Sequence, residues 1–217
     1  MTKRLERIFS EIPKCDSFAD VGCDHGFIAE KMILSGKCSN VTITDISAKS
    51  LQKAKNLLKK HIEKGVVNAI CTDGLKDVSN KTETVLIAGM GGEEIIKILQ
   101  ESAFLPPVLI LQPMKNVDKV RRTLFETGYG IVKDYLFYDK KYYNLIVARL
   151  NEKVLPYSEN EFIFGRDNLK TLSDDFRLYL SKELSIINKS LSLVESDAEK
   201  IILEEKLKLY KEVINGN

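Results

Sequence analysis

The sequence predicts an α/β protein with a doubly wound, mostly parallel sheet, followed by a helical tail. Short apolar segments alternate with longer amphipathic segments over residues 1–128, which is typical of a parallel sheet with helices on both faces. Two further strand-like segments, residues 131–138 and 142–150, flank the polar residues 139–141 and predict a terminal antiparallel hairpin. From about residue 168, apolar side chains recur at steps of three and four residues, which predicts long amphipathic helices.

Each parallel strand is predicted from a short segment rich in β-branched and aliphatic residues. The fourth, TVLIAG, is apolar throughout, as expected for a central strand that is buried on both faces. The strands are predicted at residues 18–23, 41–45, 66–71, 84–89 and 108–112.

The helices between these strands are bounded by residues that begin or end helices. Ser47 is a suitable N-cap for the longest of them, and Gly36 and Gly128 are suitable C-terminal stops. The helices are predicted at residues 3–12, 26–36, 47–64, 92–102 and 115–128.

The tail is predicted to be a separate unit, with one domain at residues 1–155 and a second at 156–217. Residues 151–165 lack hydrophobic periodicity, which predicts a linker or an irregular segment. Ser196 and Glu199 form a capping-box pattern that predicts the start of a second helix near residue 197, giving a helical hairpin or a short coiled coil. Packing or dimerisation and substrate binding remain equally open for this tail. Its predicted buried stripe is Phe176, Leu180, Ile187, Leu191, Val194, Ala198 and Ile201.

The composition excludes several classes of protein. The formal net charge is only +2, so a general polyanion-binding surface is not expected. The charge is uneven, since residues 1–150 carry 23 basic and 18 acidic side chains and residues 151–217 carry 10 and 13. The four cysteines have no C-x-x-C spacing, which argues against a zinc ribbon. With no apolar run of membrane-spanning length and no visible signal peptide, we expect a reduced, cytoplasmic protein without a metal or a membrane partner.

Acidic and glycine residues follow the predicted strands where the ligand crevice of a doubly wound sheet lies. The first loop reads Gly22-Cys23-Asp24-His25-Gly26 and lacks the middle glycine of the dinucleotide fingerprint. A carboxylate at this place would repel a pyrophosphate, whereas a cationic ligand reverses that argument. The sequence therefore favours S-adenosyl-L-methionine, which carries a sulfonium and an ammonium group.

The acidic residues are assigned to parts of that cofactor. Asp20 or Asp24 would face the amino-acid part, Asp45 the ribose hydroxyls and Asp73 the adenine amino group. Taken singly, Asp45 also suits a helix N-cap and Asp73-Gly74 a turn. The remaining residues predicted to bind the cofactor are Gly22, Cys23, Gly26, Ile46, Gly74, Ala88 and Gly89.

Five segments in this order resemble the bacterial TrmK family, which methylates N1 of adenine 22 in the D-arm of tRNA. They are DVGCDHGFI, VTITD, AICTDGL, LIAGMGG and LILQPM. The resemblance implies a Rossmann-like class I methyltransferase domain over about residues 1–150 and a C-terminal coiled-coil domain. The sequence departs from the family pattern at Phe27, where tyrosine is usual, and at Met114, where asparagine is usual.

The crevice also suggests which residues act on the substrate. Asp24 or a backbone carbonyl of Gly89–Gly91 is predicted to accept a hydrogen bond from the adenine 6-amino group, with His25 as a positioning group. The predicted tRNA contacts are Met90, Gly91, Gly92, Gln112, Pro113, Lys115, Arg121 and Arg122, although a merely solvated basic face is an equal alternative for the last three. A monomer or weak dimer is expected.

Three other functions remain open at this stage. A methyltransferase acting on a protein or small molecule would share the cofactor site. An NAD(P)-dependent oxidoreductase is disfavoured by Asp24 and by the terminal hairpin. A non-catalytic binding protein is disfavoured by the intact row of Asp20, Asp45 and Asp73.

Overall fold

A computed structural model describes residues 1–216 of the chain and has a seven-stranded sheet at its centre. The strands lie in the order β3-β2-β1-β4-β5-β7-β6, and β7 is antiparallel to both of its neighbours. The predicted parallel sheet with a terminal antiparallel hairpin is thus confirmed. The strands are β1 (Ser17–Val21), β2 (Asn40–Asp45), β3 (Val67–Cys71), β4 (Thr84–Met90), β5 (Val108–Pro113), β6 (Tyr129–Asp139) and β7 (Lys141–Leu150).

Helices cover both faces of this sheet, which explains why its central strands are apolar throughout. In β4, Val85 and Ile87 enter the core on one face, while Leu86 and Ala88 pack on the other. The helices of the first 126 residues are α1 (Lys3–Glu11), α2 (Phe27–Leu34), α3 (Ala48–Leu57), α4 (Lys59–Glu63), α5 (Gly92–Gln100) and α6 (Val117–Glu126).

The predicted continuous helix at residues 47–64 is wrong. The helical geometry is interrupted at Leu58, which has φ −95° and ψ 10° and a fully buried side chain. Neither glycine nor proline occurs at the break, which coincides with a residue packed in the core. The predicted N-cap is confirmed, because the Ser47 hydroxyl accepts a hydrogen bond from the backbone N–H of Ser50.

The predicted irregular linker at residues 151–165 is also wrong in part, because it contains helix α7 (Glu159–Phe164). This helix begins with a capping box. Ser158 Oγ accepts from the Glu161 N–H at 3.3 Å, and the Glu161 carboxylate accepts from the Ser158 N–H at 2.7 Å. The Ser-x-x-Glu pattern that signals such a start is present in the sequence.

The tail continues with α8 (Arg166–Thr171), α9 (Asp174–Leu191) and α10 (Asp197–Asn215). Both Phe176, near the start of α9, and Tyr210, near the end of α10, lie against Phe164, so the two long helices are antiparallel. The second helix begins at Asp197 as predicted, but the Ser196 side chain makes no capping hydrogen bond. The helices of residues 1–216 lack the apolar length that a membrane crossing requires.

Burial in the helical tail follows the prediction at one end only. Phe176, Leu180 and Ile187 are buried in a cluster with Leu136 of β6. Ala198 and Ile201, which belong to the same apolar pattern, are exposed. The cluster occupies the opposite end of the hairpin, next to the sheet.

Arg121 of α6 is buried and cannot contact tRNA, which corrects that prediction. Its side chain is 1% exposed and binds the Asp134 carboxylate through Nε at 2.8 Å and Nη2 at 2.9 Å. Its Nη1 donates to the backbone carbonyls of Phe162 and Ile163 at 2.9 and 3.0 Å. The guanidinium therefore joins α6, β6 and α7. The division of the chain into two domains at residue 155 stays a prediction.

We expect Asp134→Ala to lower the free energy of unfolding by about 3–5 kcal/mol, because it leaves the Arg121 guanidinium buried and unpaired. Urea denaturation followed by circular dichroism measures this change. The matched control is Glu159→Ala, which removes the partner of the exposed neighbour Arg122 and should leave stability nearly unchanged. Equal losses for the two variants would contradict the role assigned to the buried pair.

Candidate active site

A cavity of about 510 Å³ opens at the carboxyl ends of β1, β2 and β4, and its size suits a small-molecule ligand. The structure brings most of the predicted cofactor and catalytic residues to its wall. These are Asp20, Gly22, Cys23, Asp24, His25, Asp45, Ile46, Asp73, Gly74, Ala88 and Gly89, together with Met90 from the predicted substrate set.

Two predicted site glycines have packing roles beside the cavity. Gly26 begins α2 with φ 75°, and a Cβ there would lie 3.0 Å from Ala54 Cβ. Gly92 donates its N–H to the Lys115 carbonyl at 2.9 Å, and a Cβ there would collide with that carbonyl. Gly91 is the N-cap residue of α5. None of the three is among the described residues that line the cavity.

The other predicted substrate residues also lie away from the cavity wall. Gln112 is fully buried, and Pro113 ends β5. Arg122 is paired with Glu159 at 2.6 Å, and its guanidinium lies 4.4 Å from the centroid of the Phe162 ring. Lys115 is exposed and borders a second cavity, of about 470 Å³, between the start of α6 and the tail.

The loop between β1 and α2 is a tight turn that brings backbone to the cavity. The N–H groups of Gly22 and Cys23 both donate to the Thr44 carbonyl, at 2.9 and 3.0 Å. Gly22 has φ 70°, and a Cβ there would overlap the end of the Met90 side chain. Asp24 follows at φ 45°, a conformation that aspartate tolerates better than most residues. The turn therefore requires glycine at position 22.

The acidic side chains of the cavity differ in the hydrogen bonds and ion pairs that hold them. Asp45 accepts from the Ser47 N–H at 2.8 Å and the Asp24 N–H at 3.4 Å. Since Ser47 is itself the N-cap of α3, the alternative interpretation of Asp45 as that cap is excluded. Asp73 pairs with Lys76 at 3.2 Å.

Asp20 is the most perturbed of these carboxylates and is only 5% exposed. Its pKa is raised from 3.8 to about 7, first by burial and then by the nearby charge of Asp45, while a hydrogen bond from the backbone of Ala29 lowers it. Burial favours the protonated form because a carboxylate loses its hydration. A cation in the cavity would restore the charged form.

Asp24 and His25 stand at the mouth of the cavity with largely accessible side chains. The Asp24 carboxylate lies 3.6 Å from both His25 Nε2 and Lys53 Nζ. The His25 ring is stacked on Phe27, with 5.4 Å between ring centroids. The entrance therefore offers an exposed carboxylate beside a flat pair of rings.

Sequence reasoning missed the contribution of α1 to the cavity. Arg4, Leu5 and Ile8 line it, although α1 precedes the sheet and was predicted only as a short amphipathic helix. Glu94 of α5 also reaches the wall. The position of Arg4 at the start of an amphipathic helix was the available signal, but nothing in the sequence says where that helix packs.

The cavity suits a cationic organic ligand. Five carboxylates line it, from Asp20, Asp24, Asp45, Asp73 and Glu94. Among the described residues there is no group of three or more His, Cys, Asp or Glu that could hold a metal ion. Strands β3-β2-β1-β4-β5 follow the Rossmann order, whereas the inserted antiparallel β7 departs from it. This fold and this site define a Rossmann-like S-adenosylmethionine-dependent methyltransferase.

Comparison with known proteins gives the family. Residues 1–146 match the family described as Methyltransferase domain. The tRNA (adenine(22)-N(1))-methyltransferase of Bacillus subtilis (strain 168) is 26% identical over 162 residues, which cover 72% of this chain and 68% of the relative. A Streptococcus pneumoniae protein, described as a candidate tRNA (m1A22) methyltransferase and solved with S-adenosyl-L-methionine, is 26% identical and has a TM-score of 0.88 over 99% of both chains. The chain belongs to the methyltransferase-domain family and, within it, to the TrmK family.

We expect Asp20→Asn to stabilise the cofactor-free protein at pH 8 by roughly 5 °C in Tm, with no gain at pH 4. A carboxyl with a raised pKa contributes stability below pH about 4 that is lost as the pH rises through about 7. The same variant should bind S-adenosylmethionine more weakly at pH 8, because it lacks the negative charge.

Thermal melts and calorimetric titration at both pH values measure these opposite effects. Asp16→Asn is the control, since Asp16 is exposed at the far end of β1. A Tm difference that does not change with pH would contradict the assignment of the titration to Asp20.

Proposed function

We propose that this chain transfers a methyl group from S-adenosyl-L-methionine to N1 of adenine 22 in the D-arm of tRNA. The observation that carries the proposal is the acidic cavity at the ends of β1, β2 and β4 in a chain of the TrmK family. A cytoplasmic location follows from a tRNA substrate. A monomer or weak dimer remains our expectation for its assembly.

The cofactor, when bound, supplies an electrophilic methyl group on a positively charged sulfur. We propose that Asp20 lies near the methionine part, that Asp45 accepts from the ribose hydroxyls and that Asp73 accepts from the adenine amino group. Gly22 and Gly89 let the backbone approach. Cys23, Ile46, Gly74 and Ala88 supply the remaining wall, and Gly26 supports the loop.

Adenine N1 has a free lone pair at neutral pH, so the chain does not need to provide a base. Its task is to orient the ring, and proximity of this kind can contribute several kcal/mol to lowering the barrier. We propose that Asp24 accepts a hydrogen bond from the 6-amino group as positive charge develops on the base. His25, held on Phe27, would position the ring at the cavity mouth.

The tRNA has to present the target base unstacked, and part of the predicted contact surface is suited to this. Met90 lines the cavity, and Gly91 lies next to it at the start of α5. Gly92, Gln112 and Pro113 are buried, so their predicted contact with tRNA is not supported. Lys115 remains a candidate phosphate contact because it is exposed next to the cleft that the tail borders. Arg122 is weakened as a candidate by its pairing with Glu159. The tail itself would bind tRNA or a second subunit.

The direct test is incubation of the full chain with labelled S-adenosylmethionine and an unmodified tRNA transcript that carries adenine at position 22. We expect label in 1-methyladenosine after digestion, because N1 is the reacting atom. The matched control is the same transcript with guanine at position 22, which should remain unlabelled.

Each other outcome of this assay has a distinct meaning. Methylation of both transcripts at another adenine would contradict the position but keep the activity. Clear binding of S-adenosylmethionine without transfer to tRNA would contradict the tRNA assignment and favour a protein or small molecule as the methyl acceptor.

The proposed roles at the cavity mouth predict that Asp24→Ala and His25→Ala each lower kcat for tRNA by about tenfold or more, with KM for S-adenosylmethionine nearly unchanged. The physical reason is lost orientation of the base rather than lost cofactor binding. Steady-state kinetics at saturating tRNA measures the effect. His61→Ala is the control, because His61 lies on α4 and does not border the cavity; full activity of both mouth variants would refute their roles.

A further inference from the structure

The cavity wall contains a single strongly basic side chain among its described residues. Arg4 of α1 is the only Lys or Arg in the described lining, which also contains five carboxylates. A positive charge in the wall would repel a purely cationic ligand. The guanidinium of Arg4 therefore indicates that the ligand also carries a negative charge.

The backbone and Nε of Arg4 are hydrogen-bonded, whereas its Nη1 and Nη2 groups are free among the described residues. Its backbone N–H donates to Asp139 at 2.8 Å, and its Nε donates to Gln112 Oε1 at 2.8 Å. The guanidinium lies 5.3 Å from the centroid of the Tyr143 ring. Within residues 1–216, the Nη1 and Nη2 groups donate to no protein acceptor. Two donors on one planar group therefore remain available for an anion.

The carboxyl end of β4 has room for this guanidinium. A Cβ on Gly89 would lie 2.9 Å from Arg4 Nη2, and Gly89 has φ 84°. The positive φ favours glycine at this position, and a side chain there would also push the guanidinium aside. Gly89 is the penultimate residue of β4 and lines the cavity, so the free donors of Arg4 lie beside the cavity wall.

Helix α1 is also fixed at its other end, so that Arg4 is preorganised. Glu11 accepts from Lys133 at 2.7 Å and from the Tyr135 hydroxyl at 2.9 Å. Lys37 donates to the carbonyls of Phe9 and Ile12 at 3.1 and 2.6 Å. A helix anchored at both ends loses little freedom when its arginine pairs with a ligand.

We propose that Arg4 binds the α-carboxylate of the methionine part of S-adenosylmethionine. The inference rests on the proposed function and adds a residue to its cofactor site. The cofactor carries two cationic groups and one anionic group, and the wall matches this pattern with several carboxylates and one guanidinium. Guanidinium and carboxylate form paired, charge-assisted hydrogen bonds.

The test compares two ligands that differ in the amino-acid part. S-adenosylhomocysteine carries the carboxylate, and 5′-methylthioadenosine lacks the whole amino-acid group. We expect Arg4→Ala in the full chain to weaken S-adenosylhomocysteine about tenfold or more, as expected for a charge-assisted hydrogen bond, and to leave methylthioadenosine within about twofold. Isothermal titration calorimetry gives both dissociation constants, and Tm measurements show whether each variant is folded.

Three variants make the result specific. Arg7→Ala, an exposed arginine on the same helix, should change neither affinity. Arg4→Lys should recover part of the binding, since it keeps the charge without the fork. Gly89→Ala should weaken both ligands, because its Cβ would meet the guanidinium and Gly89 also lines the cavity with a positive φ.

The inference would be overturned by equal losses for both ligands in Arg4→Ala, which would indicate a displaced helix. It would also be overturned by unchanged affinities with a raised KM for tRNA, which would indicate a phosphate contact. Failure of the proposed function is distinguishable: a wild-type chain that does not methylate tRNA, but loses S-adenosylhomocysteine selectively on Arg4→Ala, would keep this inference alone.

Discussion

The buried ion pair between Arg121 and Asp134 is the interaction on which the arrangement of the two parts of the chain depends. Moving both charges out of water costs several kcal/mol, and the structure offsets this cost with paired hydrogen bonds and with donation to two α7 carbonyls. Tyr157 adds a hydrogen bond to Asp134 at 3.3 Å. Gly165, with φ 87°, comes so close to both partners that a Cβ would lie 2.9 Å from each. The segment that leads into the tail is thus fitted to this pair.

In the cavity at the carboxyl ends of β1, β2 and β4, a buried charge lacks such a partner within the described part of the chain. Asp20 is buried next to Asp45 and has no cationic side chain to offset the loss of hydration, so its pKa is raised to about 7. An uncharged residue at this position would give the protein a higher folding stability at neutral pH. The cost becomes useful when a positively charged ligand enters, because the ligand then supplies the missing partner in a place where water screens little. Cofactor binding and folding stability therefore oppose each other at this residue.

The sequence predicted well whatever depends on local pattern. Alternation of apolar strands with capped helices located all five parallel strands and the terminal hairpin. The rule that ligands bind at the carboxyl ends of parallel strands located most of the cavity residues. The failures share a cause in tertiary contact. The helix break at Leu58 coincides with a fully buried side chain. The predicted surface position of Arg121 is wrong, and this residue falls in one stripe with Val117, Leu124 and Phe125. A basic residue inside an apolar stripe is a signal of burial with a partner, but the partner lies 13 residues away on β6.

The insertion of β7 between β5 and β6 has a consequence for synthesis on the ribosome. When the chain has been made as far as α6, β5 presents an unpaired edge, and such edges invite association with other chains. Arg121 at that stage has no carboxylate to pair with. The edge of β5 and the charge of Arg121 find their partners only after residues 129–165 have emerged. Strand β7 then pairs with β5, and α7 accepts hydrogen bonds from the guanidinium. The parallel half of the sheet, which bears the whole cofactor cavity apart from α1, therefore depends for its completion on the segment that connects it to the tail.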